Sequence, residues 1–215
     1  PALGVVTLAE AEAAMRDLQV RTERDTVPFM PIFEAVLGES FAALPAPIRQ
    51  THVTADKSRW QGRSEVMRGA GLWPRLLAAL VRFPPASPDV EVEVTKTVTR
   101  RGETWERRFG TRRFRSHLIP TRAGMTERFG PFTFLLGLRV AGEELLYPVR
   151  SGRVGPIPMP RWLLPVSEAR EHVQDGRFHF DVSLRAPITG ALIVRYRGWL
   201  VAATPGDPAA PPVRC

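Results

Sequence analysis

The stretch VEVEVTKTVTRRGETWERRFGTRRFRSHLIP, residues Val90–Pro120, decides the fold class. Val90, Val92, Val94 and Val98 alternate with Glu91, Glu93, Thr95 and Thr97, the period-two pattern of a strand with one buried face. Arg101-Gly102 and Gly110-Thr111 then turn the chain, so Glu103–Phe109 and Arg112–Ile119 read as two further strands joined by tight turns.

Working outward, the same signals predict strands over Trp60–Arg68, Met125–Phe129, Phe132–Val140, Leu145–Arg150, Phe178–Leu184 and Ala191–Ala203, with Ser167–Gln174 ambiguous between helix and strand. Gly155–Pro160 reads as a rigid extended loop. Helical spacing puts Leu72, Trp73, Leu76, Leu77, Leu80 and Val81 on one stripe of a helix over Leu72–Phe83, ended by Pro84-Pro85 and expected to cover the sheet. Pro31–Leu37 is a short helix stopped by Gly38, Thr7–Val20 a helix opened by a capping box, and Leu44–Pro47 a turn leading to Ile48 and His52. The expected class is α+β and mostly antiparallel β: a curved sheet or barrel-like meander of about eight or nine strands with one amphipathic helix packed on it and short N-terminal helices. A helix-grip lipid-binding architecture is disfavoured, because the chain closes on a strand and a Pro-rich tail rather than a long helix. Residues 1–28 are read as an N-terminal helix and linker, 29–203 as a single domain and 204–215 as a disordered tail.

Composition narrows the function classes. The net charge of +8 is carried mainly by arginines scattered along the chain, with no block of about five or six like charges, so no nucleic-acid footprint emerges. The single cysteine, Cys215, forms no internal disulfide and fits a reducing cytoplasm. No apolar run reaches the roughly 18–20 residues of a membrane span. The start at Pro1 fits a piece cut from a longer polypeptide. Phosphate-binding glycine loops and a serine-hydrolase elbow are absent, and the four histidines lack metal-site spacing, so no cofactor and no metal are expected.

Strand parity selects the candidate site. If Trp105 and Phe109 point inward, Arg107 does too; Phe114 and Leu118 carry Ser116 inward, and Met125 and Phe129 carry Glu127. A two-residue turn at Gly110-Thr111 sets Arg107 opposite Phe114 and Trp105 opposite Ser116. Arg107, Ser116 and Glu127 are therefore expected to meet among aromatic side chains. Two readings stay open: a polar anchor for a small, partly apolar ligand, anionic or neutral, or a self-satisfied buried pair bridged by the serine. Glu127 is also a candidate base. His52, placed after a turn, is a candidate for the cavity mouth or a solvated or capping histidine. Asp181 reads as outward, and Tyr196 as core with its hydroxyl tied off. The competing functions are an enzyme using Glu127 or His52 as acid/base on a lipid-like or sugar-like substrate, and a protein-interaction domain without ligand.

Several landmarks recur together: Phe33–Gly38, Leu44-Pro45, Ile48-Arg49, His52, Glu103–Gly110, Ser116, Glu127–Pro131, Gly155–Leu163, Phe178–Val182, Pro187, Gly190 and Tyr196–Leu200. In that order, over roughly residues 30–202, the chain resembles a bacterial domain of unknown function, numbered 4166. The resemblance implies a domain found alone or fused behind saccharopine-dehydrogenase-like or epimerase-like reductase domains. Any dinucleotide would then belong to that fused or neighbouring reductase.

Overall fold

A computed structural model of the chain describes residues 30–80 and 83–204. The elements belong to the compact unit Pro31–Cys215. The predicted helix at 7–20, the linker before residue 29 and all but the first residue of the tail lie outside the described residues.

Three short helical pieces open the unit: α1 (Ile32–Leu37), a 3-10 turn at Gly38–Phe41, and α2 (Ala46–His52). The predicted turn at Leu44–Pro47 is instead the start of α2: Pro47 sits in its first turn, where a missing N–H costs nothing. Strand β1 (Lys57–Arg68) and helix α3 (Leu72–Leu80) follow, then β2 (Ser87–Thr99), β3 (Gly102–Phe109), β4 (Arg112–Thr121), β5 (Gly124–Phe129) and β6 (Phe132–Leu136). The chain continues through β7 (Arg139–Ala141), β8 (Glu144–Leu146), β9 (Val149–Val154), β10 (Ile157–Pro158), a 3-10 turn at Arg161–Leu163, β11 (Val166–Gln174), β12 (Arg177–Arg185) and β13 (Leu192–Ala202).

Among the described residues, 13 strands form one antiparallel sheet, ordered β10-β9-β6-β5-β4-β3-β2-β1-β13-β12-β11-β8-β7. The predicted class holds, but the strand number and the simple meander do not. Expected strands 132–140 and 145–150 each break in two, at Gly137-Leu138 and Tyr147-Pro148, and the β7–β8 hairpin pairs with β11 on the opposite wing. The predicted loop at 155–160 contains the edge strand β10, and the ambiguous 167–174 segment is strand β11.

Those two breaks determine the shape of the sheet. Two residues can bridge only about 11 Å, yet they join β6, near one end of the strand order, to β7, at the other. The two wings must therefore curl until they meet at that corner. There the Gly137 N–H donates to Pro148 O at 2.9 Å, while the Tyr147 N–H donates to Ala169 O on β11 at 3.0 Å. The hydrogen-bond ladder does not close elsewhere, leaving an open shell.

The shell has a lower end, where α2 packs against β11 and β12 and α1 against β4 and β5. Its upper end carries the β3–β4, β5–β6, β9–β10 and β12–β13 turns together with α3. α3 contacts β13, and the two described members of the predicted stripe lie off the sheet. Leu72 and Leu76 are exposed, Pro74 and Ala78 are the buried positions, and Trp73, Leu77, Leu80 and Val81 are side chains outside the description.

Strands approach closely at Gly62, where an added Cβ would stand 1.9 Å from Trp199 O. Because the obstacle is backbone, Gly62→Ala is expected to lower stability by about 2 kcal/mol, measured as a shift in urea midpoint at unchanged m-value.

Candidate functional site

The inner face of the shell encloses a cavity of about 400 Å³. Parity brings Val92, Val94 and Lys96 to it from β2, and Trp105, Arg107 and Phe109 from β3. Leu118 comes from β4, Met125, Glu127 and Phe129 from β5, and Phe178, Phe180 and Tyr196 from β12 and β13. The lining is mostly aromatic and aliphatic, with its polar groups gathered in two places.

The first is midway along the shell. The β3–β4 register pairs Arg107 with Phe114 and Trp105 with Ser116, as the two-residue turn requires; Gly110 supplies the positive φ of +54° that this turn needs. The next pair sets Glu127 beside Leu118, one step diagonally from Ser116. Arg107 Nη1 donates to Ser116 Oγ at 2.8 Å and Nη2 to Glu127 Oε1 at 3.1 Å, while Ser116 Oγ donates to the same Oε1 at 2.7 Å. The guanidinium lies 4.9 Å from the Trp105 ring centroid and 5.6 Å from that of Phe114, so it is flanked by two rings. The fork of Arg107 is thus engaged by its own neighbours. Among the described residues nothing donates to Glu127 Oε2, and nothing partners the Tyr196 hydroxyl, which packs its ring on Phe109 and Phe180. The expectation that this hydroxyl is tied off is corrected: burial holds it protonated, with its pKa raised to about 12, and it faces the chamber.

The second polar group closes the lower end, and parity reasoning overlooked it. Lys96, on the Val92–Val94 face, donates to Thr51 O at 2.5 Å and stands 3.9 Å above the Trp105 ring. Glu103, on the Trp105 face, accepts from Trp105 Nε1 at 2.7 Å. Both were readable from alternation, but a lysine and a glutamate in a β-strand read by default as solvent-facing. Glu171 comes from the ambiguous segment, and Tyr147 from a link between strands that no pattern marks.

His52 does not face the mouth. It is sealed at the lower end, stacked on Phe33 with ring centroids 3.6 Å apart. Its Nε2 lies 2.5 Å from Glu171 Oε2 and 3.3 Å from the Tyr147 hydroxyl, and its Nδ1 lies 3.4 Å from Lys96 Nζ. Burial lowers its pKa to about 4 despite the pull of Glu171, so the imidazole is neutral at pH 7. That assigns the proton to Nε2, donated to Glu171, and leaves Nδ1 to accept from Lys96. Burial opposes ionisation of Glu171, but His52, Lys96 and Tyr147 together hold its pKa below the ordinary carboxylate value. Burial also lowers Lys96 to about 8, with Glu171 and Glu103 opposing.

Asp181 faces the outer surface, yet it is nearly buried there beneath Arg195, which forks onto it at 2.9 and 2.7 Å.

Fold and site together define a mostly antiparallel α+β domain whose inward face surrounds an apolar chamber with polar groups on one wall and at its base. The chain belongs to the family described as Domain of unknown function (DUF4166), whose model matches residues 44–200. No curated protein and no solved structure matches it. Among the described residues no helix is long and apolar enough to cross a membrane.

Arg107 and Glu127 have side chains only 14% and 13% exposed. Arg107→Met strands a nearly buried carboxylate and is expected to cost about 2–4 kcal/mol in chemical denaturation, whereas the double variant Arg107→Met/Glu127→Met recovers most of that loss. The histidine gives a pH signature. Unfolded chains protonate it below its ordinary value of 6.5, while the folded form resists until about 4. Stability is therefore present above pH 6.5 and falls by about 3 kcal/mol between 6.5 and 4, with Glu171 adding loss in the same direction at the acid end. Urea midpoints at several pH values should show this slope in the wild type and a shallower one in His52→Gln, whose amide donates but does not titrate.

Proposed function

We propose that this domain binds a small, mainly apolar molecule carrying an uncharged polar head, held in the chamber with its head against Glu127 and Tyr196. The observation that supports this most is the chamber itself. About 400 Å³ lies within the size range of small-ligand sites, and its lining is apolar apart from a few converging polar atoms. Two of those atoms, Glu127 Oε2 and the Tyr196 hydroxyl, have no partner among the described residues, so a ligand hydroxyl or carbonyl can satisfy them.

The head is uncharged because the cations are already matched: Arg107 by Glu127, and Lys96 by Glu171 and Glu103. An anionic head would stand against the Glu127 carboxylate, with Glu171 and Glu103 at the chamber's base adding to the repulsion. Binding is favoured over acid–base catalysis, since His52 is sealed beneath Phe33 and Glu127 is held by Arg107. An accessory role beside a reductase, as the family resemblance implies, suits a carrier with no nucleotide-binding loop of its own.

Nile red, an uncharged apolar dye, is expected to bind at one-to-one stoichiometry and to be displaced by dodecanol at lower concentration than by dodecanoate. Ala169→Phe, filling the chamber from β11, should weaken dye binding at least about tenfold with the melting temperature nearly unchanged. Undiminished binding in that variant would sink the chamber as the site, and tighter competition by dodecanoate would sink the uncharged head.

A further inference from the structure

Most of the large apolar side chains exposed on the described surface gather at the upper end of the shell. Ile157 on the β9–β10 hairpin is 68% exposed, Trp162 on the following 3-10 turn 63%, and Ile188 on the β12–β13 turn 79%; Val166, at the start of β11, is also exposed. α3 leaves the upper end of β1 and adds Leu72 and Leu76.

These positions are connected. The Met159 N–H donates to Gly152 O at 2.8 Å, and Leu164 packs against Gly152, so residues 159–165 form a strap running from β9 to β11. Val166 then pairs with Arg185, three residues before Ile188. Each exposed side chain on this path also adjoins the chamber lining: Trp162 is next to Leu163, Val166 next to Pro165, Ile188 next to Pro187, and Ile157 two positions from Met159. The strap and the β12–β13 turn thus carry exposed and chamber-lining side chains side by side, which places the apolar rim at the upper border of the chamber.

The charge on the strap and on the β12–β13 turn has one sign. No acidic residue occurs from Leu145 to Ser167 or from Val182 to Gly206. Arg153, Arg161 and Arg185 are exposed on the rim, and none forms an ion pair with a described residue. Scattered apolar side chains projecting from turns, ringed by unpaired arginines, suit insertion into the headgroup region of a bilayer with negative surface charge. A protein partner would call for a flatter apolar patch with complementary acidic groups.

We propose that the upper rim docks on an anionic lipid bilayer, and that the chamber exchanges its ligand, a membrane lipid or lipid-soluble molecule with an uncharged head, directly through that surface. The ligand half rests on the chamber reading given above; the docking half rests on the rim alone.

The test is co-sedimentation of the full chain with vesicles of phosphatidylcholine, with and without roughly 30% phosphatidylglycerol. The wild type should partition onto the anionic vesicles and detach as salt rises. Trp162→Ser/Ile188→Ser should lower partitioning about tenfold or more, and so should Arg153→Glu/Arg161→Glu, while both leave Nile red affinity and melting temperature as they were. No partitioning by the wild type, or unchanged partitioning by the two double variants, overturns docking and leaves the chamber reading standing if Nile red still binds. Partitioning without Nile red binding supports docking and overturns the ligand route. Self-association that the serine variant abolishes, with no vesicle binding, assigns the rim to a protein contact and overturns the membrane proposal.

Discussion

Two dipeptide links, Gly137-Leu138 and Tyr147-Pro148, constrain everything else in this domain. A flat sheet of 13 strands would put β6 and β7 tens of ångströms apart, since neighbours are spaced by roughly 4.8 Å. Joining them by two residues forces the sheet to curl until its wings touch. The chamber exists because the wings are held together at one corner, and it is open because the ladder does not continue upward from there.

The lower end needs a plug, and the plug is polar. Thr51 and His52 arrive on α2, Lys96 and Glu103 on β2 and β3, and Glu171 on β11. A buried lysine is tolerated there only because each direction of its ammonium finds something to hold: a carbonyl, an imidazole nitrogen or an indole face. The same cluster ties α2 to both wings. Buried polar contacts with directional demands specify which helix closes which end, something that apolar packing of α1 and α2 would leave less well defined.

Local alternation carried much of this into the sequence. The inward parity of Arg107, Ser116 and Glu127 and the register set by Gly110-Thr111 needed nothing beyond period two and a turn length. Lys96 and Glu103 lay on the same faces and were equally readable, but hydrophobicity assigns charged residues outward. The breaks at Gly137 and Pro148 were visible as residues but not as a change of partner strand, because pairing between distant segments is decided by tertiary closure. α3 shows a complementary limit at two of its positions. Its spacing determined which residues share a face, and packing determined that Leu72 and Leu76 on that face stay in water. Whether an apolar stripe is covered is a property of the neighbours, and no neighbour is encoded in the stripe.

A sheet that never closes keeps two raw edges. Here the terminal strands are β10, two residues long and ending in Pro158, and β7, three residues long. At these two strands an incoming segment would find few free amides to lengthen the ladder, and one of them is missing because proline has none. The shell can stay unsealed along its gap without inviting another chain to complete it.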